Sequence, residues 1–141
     1  DIKFYIAGRN APENAKERFN YPNVVYLGEV PDAYEFLLSK SVLIVPLLSG
    51  SGMRVKIIEG LALGKAIVST SKGAEGINLN KSEHIEIADS VSEFANACVK
   101  LLDNKEKREI LAEKGKNFVK KHYDNIKIAK DLKYFYEQNI K

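Results

Sequence analysis

Arg54 and Lys56 follow the turn Ser49-Gly50-Ser51-Gly52-Met53 at the start of a helix pattern, and Glu59 stands in its apolar middle. A helix N-terminus carries the positive end of the macrodipole, so cations there are unfavourable for the empty protein. An anion is welcome at the same place, because free backbone N–H groups and the dipole both attract negative charge. Glycines let the backbone approach a ligand closely, and Arg54 and Lys56 raise the affinity for anions further. A diphosphate over Gly50, Ser51, Gly52 and Met53 is the simplest ligand that explains the arrangement. The same residues also fit solvated cations behind a helix that Ser51 caps. Glu59 is flanked by Ile57, Ile58 and Leu61, where a buried carboxylate needs a partner. Lys56 one turn back and a pair of sugar hydroxyls both qualify, and spacing leaves the choice open.

The elements that must position these residues alternate along the chain. Strand patterns run over Ile2–Ala7, Val24–Leu27, Val42–Val45, Ala66–Ser69 and His84–Ile87, the last alternating as an edge strand does. Helix patterns fall between them: a short one over Glu13–Asn20, one from Asp32 to about Lys40 with Asp32 as cap, and one ending near Leu63 with Gly64 as its stop. Further helices start at Ser90 or Ser92 and near Asp124, with another between them. They are expected to bury Ile110, Leu111, Phe118 and Val119, then Ile128, Leu132, Phe135 and Tyr136. Apolar strands alternating with helices predict an α/β fold, a doubly wound parallel Rossmann-like sheet with C-terminal helices, as one domain over 1–141. Ligands of such sheets bind beyond the carboxyl ends of the strands. That directs attention to Gly8–Asn10, Gly28–Val30, Pro46–Gly52 and Thr70–Ile77.

Composition sets the outer limits. The chain has 141 residues, 45% hydrophobic and 29% charged, with a net charge of +3. No strong field for nucleic acid or membranes is implied, and no apolar run reaches the ~20 residues that span a bilayer. The single Cys98 has no intrachain disulfide partner and fits a reduced, cytoplasmic setting. His84 and His122 lack neighbours at metal-ligand spacing, so no metal is expected. Gly60–Lys65 is one residue short of a phosphate-binding loop, and Gly50–Val55 has Val where a dinucleotide fingerprint needs its third Gly. The chain opens on Asp1, already close to a strand pattern, and reads as a piece of a longer protein.

The residues also carry a resemblance. The order Gly52-x-Arg54-x-Lys56-x-x-Glu59-x-x-Ala62-x-Gly64-Lys65, then Ile67-Val68-Ser69-Thr70 and Gly73-x-Glu75-Gly76, resembles the C-terminal domain of family 4 glycosyltransferases. Phe4–Gly8, Val25–Val30 and Asp124–Tyr136 extend the similarity over essentially the whole chain. The resemblance implies half of a glycosyltransferase-B fold, in a retaining, metal-independent enzyme whose substrate is a nucleoside-diphosphate sugar. It implies Glu59 at the nucleotide ribose, Gly28 and Val30 bordering the base, and Gly73 and Glu75 near the sugar or diphosphate. Arg54 and Lys56 become the catalytic cations that stabilise the departing diphosphate. The first of the family's two glutamates falls at Ser51, which weakens the sugar end of the site. An N-terminal acceptor-binding domain, and the first strand–helix unit, are implied upstream. The parent would be cytoplasmic, with peripheral association at the inner membrane face left open. A non-catalytic nucleotide-sugar-binding or scaffolding domain, and half of a related epimerase or phosphorylase, are the alternatives.

Overall fold

The computed structural model describes residues 2–140; Asp1 and Lys141 lie outside the described residues. The chain forms two compact units that divide between Phe36 and Leu37. In the first, β1 (Phe4–Ala7) runs parallel to β2 (Val24–Gly28), with α1 (Ala15–Arg18) between them. Phe4 pairs with Val24 and Ala7 with Gly28, across an irregularity after Ile6. Helix α2 (Ala33–Leu38) spans the division. Asp32 caps it as predicted, accepting the Tyr34 and Glu35 N–H groups at 2.7 and 3.0 Å.

The second unit is a three-stranded parallel sheet in the order β3-β4-β5. Its strands are β3 (Val42–Val45), β4 (Ala66–Ser69) and β5 (Glu86–Ile87). Helix α3 (Val55–Ala62) connects the first two, and α4 (Val91–Asp103), α5 (Lys105–His122) and α6 (Asn125–Asn139) follow the third. Strand β4 is central and every residue in it is buried. Because side chains alternate across a strand, β3 and β4 feed two cores. Val45 and Ile67 join Ile57, Leu61, Ile85 and Val119 on one side. On the other, Ala66 and Val68 pack with Leu101 and Leu111, against the half-buried Val42 and Ile44. Helix α5 contributes to both, through Val119 to the first and Leu111 to the second. This is the doubly covered parallel arrangement that the apolar strands predict.

Side-chain caps start the later helices, the first and the last of them where the sequence places them. The Ser90 hydroxyl accepts the Glu93 N–H at 3.3 Å, and Asn104 Oδ1 accepts the Lys107 N–H at 2.8 Å. Asp124 Oδ1 accepts from Ile126 and Lys127 at 2.8 and 3.2 Å. The expected burial of the last helix is not observed. Ile128, Leu132, Phe135 and Tyr136 are 46, 53, 59 and 51% exposed, and no residue of α6 is buried. Ile110 is likewise exposed, beside the buried Leu111. A 3.6-residue period identifies an apolar face, but it does not supply the surface that would cover it.

Close approach explains two of the glycines. At Gly60 a Cβ would meet the ends of the Leu43 and Ile67 side chains at 2.6 and 3.1 Å. At Gly115 it would meet Leu61 Cδ2 at 2.5 Å and the His84 carbonyl at 3.0 Å. The second position lets α5 lie directly against α3 and the entry to β5, and a backbone oxygen cannot swing aside as a methyl can. Gly115→Ala should therefore destabilise the protein by about 1–3 kcal/mol, read from urea unfolding. An unchanged midpoint would contradict the close packing.

Candidate functional site

Strands β3 and β4 end side by side, with Val45 paired to Ser69, so the loops that follow them share one end of the sheet. The loop over 46–54 leads from Pro46 to α3, and the loop over 70–77 leaves β4. A polar knot ties them. The Thr70 hydroxyl donates to the Leu47 carbonyl and accepts the Gly73 N–H at 2.9 Å. Ser69 Oγ donates to the Val45 carbonyl at 3.2 Å and the Thr70 N–H to the same oxygen at 3.3 Å. Gly73 is buried against Ser69 Oγ and the Val45 carbonyl, where no Cβ would fit. Gly76, at φ +82°, lies beside the Met53 backbone, and a Cβ there would sit 3.7 Å from the Met53 nitrogen. Ser71 fastens the start of the second loop to the chain after β5, through Asp89. Its N–H donates at 2.7 Å and its hydroxyl at 2.6 Å. These bonds, the hydroxyl's foremost, hold the Asp89 carboxyl below the usual carboxylate range.

The structure thus brings Gly50, Ser51, Gly52, Met53, Gly73 and Gly76 to one place. Gly50 and Gly52 take φ of +116° and +79°, conformations that glycine adopts at little cost. Helix α3 begins at Val55, so Arg54 is its N-cap residue rather than part of the first turn. The Arg54 side chain makes no capping hydrogen bond, and among the described residues Ser51 makes none either. The Arg54 guanidinium folds back over Gly50, donating from Nη1 to the Ser51 carbonyl at 3.1 Å. Its Nε is buried without a hydrogen-bond partner. Arg54 therefore braces the loop, whereas Lys56 is exposed on the first turn. Exposed Leu48, Met53 and Val55 belong to the same loop and helix start.

Glu59 corrects one expectation, since it is exposed rather than buried. Its place three residues after Lys56 puts both on one face of α3, yet among the described residues they form no ion pair. The Lys56 reading of its partner therefore falls away. Glu75 is also exposed, and Lys72 holds it at 2.8 Å. Gly28 and Val30 belong to the first unit. Gly28 closes β2 at φ +68°, its carbonyl accepting the Gly8 N–H at 2.8 Å. Arg9 and Glu29 pair beside it at 2.7 Å. Among the described residues no group of three or more His, Cys, Asp or Glu side chains is placed to hold a metal ion.

The family model of the glycosyl transferases group 1 matches residues 1–104. The chain belongs to that family. Curated relatives of this group 1 chain include an uncharacterized 44.6 kDa protein in the cps region of Klebsiella pneumoniae, 28% identical over 94% of the chain. Another is an uncharacterized glycosyltransferase of Methanocaldococcus jannaschii, 27% identical over 86%. The chain spans 36% and 32% of those two proteins, about a third of their length. A glycosyltransferase of Rickettsia africae superposes with a TM-score of 0.79 at 16% identity, over 97% of this chain and 40% of that one. HepE of Anabaena, solved in complex with UDP, gives 0.75 at 14%, over 82% of this chain and 32% of its own. Both establish the fold, which is that of one half of a glycosyltransferase-B enzyme.

Asp89 was not singled out by its sequence, and Ser69 and Thr70 were read as part of the resemblance and of the loop after the strand, not as the tie between two loops. The available signal was a run of hydroxyls at the end of a fully apolar strand, where each must find a partner. Replacing Thr70 by Val leaves the Leu47 carbonyl and the Gly73 N–H without their shared hydroxyl. Thr70→Val should cost about 1–3 kcal/mol of stability, and Thr70→Ser less than about 1. Equal losses in chemical unfolding would show that the hydroxyl does not tie the loops.

Proposed function

We propose that this chain is the donor-binding domain of a retaining glycosyltransferase, which moves a sugar from a nucleoside-diphosphate sugar to an acceptor. The observation that carries the reading is the uncapped start of α3, with Lys56 and Glu59 exposed on one face and without an ion pair among the described residues, beside two glycine-bearing loops. The diphosphate lies over the amides of residues 50–55, and Lys56 faces it from the first turn. Arg54 adds positive charge from beneath, through the loop it braces. Glu59 accepts hydrogen bonds from the ribose hydroxyls; a carboxylate is an acceptor-only group and suits a vicinal diol. Gly73 and Glu75 lie toward the sugar or the diphosphate; for Gly28 and Val30, which belong to the first unit, the base is the contact that the resemblance implies.

In transfer, the bond between the anomeric carbon and the diphosphate oxygen breaks, and the nucleoside diphosphate leaves with the electron pair. Charge therefore grows on the leaving oxygens, and donors already fixed around them lower the barrier. Loop amides held by the Thr70 knot need no rearrangement when that happens. Lys56 and the α3 dipole supply the positive charge, so the reading requires no metal ion. An acceptor-binding domain completes the enzyme, in line with relatives about three times the length of this chain. Among the described residues no helix is long and apolar enough to cross a membrane. We place the parent in the cytoplasm, where peripheral contact with the membrane would bring lipid-linked acceptors within reach.

The test is turnover of the full-length protein with nucleoside-diphosphate sugars. Lys56→Ala should lower turnover about a hundredfold or more while leaving the unfolding midpoint unchanged. Wild-type turnover in that variant would remove Lys56 from the mechanism.

A further inference from the structure

We propose that a groove between α5 and the approach to β5 is a second anion site, which accepts the phosphoryl group of a phosphate mono- or diester. The groove encloses about 410 Å³. Lys114, Asn117, Phe118, Lys121 and His122 line it from α5. Their spacing, at i, i+3, i+4, i+7 and i+8, puts them on one side of the helix. Asn78, Asn80 and His84 line it from the segment ahead of β5. Among the described residues no carboxylate is in the lining.

The place is separate from the loops over 46–54 and 70–77. His84 precedes β5, whose Ile87 pairs beside Ser69 in register with Ser69 at the end of β4. The groove therefore opens near the amino ends of the strands, and the candidate donor site at their carboxyl ends.

The side chains are arranged rather than merely exposed. Phe118 stacks between the two imidazoles, with centroids 4.6 Å from His84 and 4.7 Å from His122. His84 Nδ1 accepts the Asn80 N–H at 3.1 Å, so its Nε2 carries the proton and serves as a donor. Lys105 and Lys107 of the same helix spend their charge on Glu109 and Glu86. Lys114 and Lys121 have no ion pair among the described residues. Glu83 is the nearby counter-charge that acts on His84 and Lys114. It stands outside the lining, with Asn80 Nδ2 donating to it at 2.8 Å.

The helix dipole accounts for Lys121 and His122 in the last turn of α5. It does not account for Lys114 two turns earlier, nor for the histidine and asparagines that another segment brings to the same groove. Two ammonium groups, an imidazole N–H and the side-chain amides of Asn78 and Asn117 around one concavity form a donor-rich wall with no carboxylate in it among the described residues. A phosphoryl group has the oxygens to occupy it.

The probe is inorganic phosphate, titrated into the full-length protein by calorimetry. Lys114→Gln combined with Lys121→Gln should weaken binding about tenfold or more, whereas Lys105→Gln should leave it unchanged. If the double variant binds like wild type, or if Lys56→Ala alone abolishes binding, the site is refuted. Flotation with phosphatidylcholine vesicles, with and without phosphatidylglycerol, then identifies the source of the phosphoryl group. Retention on the anionic vesicles that the double variant loses assigns a lipid headgroup. Phosphate binding without such retention assigns a soluble ester.

Discussion

The hydroxyl of Thr70 is the constraint on which the site depends. It bonds a carbonyl of the loop after β3 and an amide of the loop after β4, and so sets the distance between the two. The strands beneath them are held by a core on each face, with β4 buried throughout. Loops on such a base can be exposed and yet fixed, because their ends cannot move apart. The glycines follow from this. Gly73 has no space for a Cβ, and Gly50 and Gly52 turn through positive φ to bring the chain to α3.

What the fixed loops present is electrostatic. An uncapped helix start has unsatisfied N–H groups, and here the Arg54 side chain makes no capping hydrogen bond. Lys56 at that end is unfavourable for the empty protein and favourable once an anion arrives. Arg54 shows how the cost is limited, since its guanidinium bonds the Ser51 carbonyl instead of standing free. One cation is thus built into the loop and the other, Lys56, is exposed. The proposed donor, a nucleoside-diphosphate sugar, would bring both negative charge and a ribose diol to these groups.

Much of this was legible in the sequence. Runs such as Val42–Val45 and Ala66–Ser69 are apolar on both sides, and only a strand covered on two faces accommodates that. Capping residues Asp32, Ser90 and Asp124 stand at helix starts, and a Gly at position 64 follows one end. The order of cations, carboxylate and glycines from Gly52 to Gly76 pointed to the two loops that the structure ties together. Three features were not legible. Glu59 lies in an apolar helix, and one-dimensional spacing could not show that its own side faces outward. Helix α6 has an apolar period, but periodicity carries no information on whether a covering surface is present. The Thr70 knot joins residues 23 positions apart, a distance over which sequence pattern predicts no hydrogen bond.

The central claim is that a nucleoside diphosphate sits on the two tied loops, and amide hydrogen exchange of the full-length protein tests it most directly. With a saturating nucleoside diphosphate, protection should rise at residues 50–56 and 71–76 and stay unchanged in α4 and the first half of α5. Protection that appears elsewhere, with residues 50–56 exchanging as in the free protein, would contradict the account.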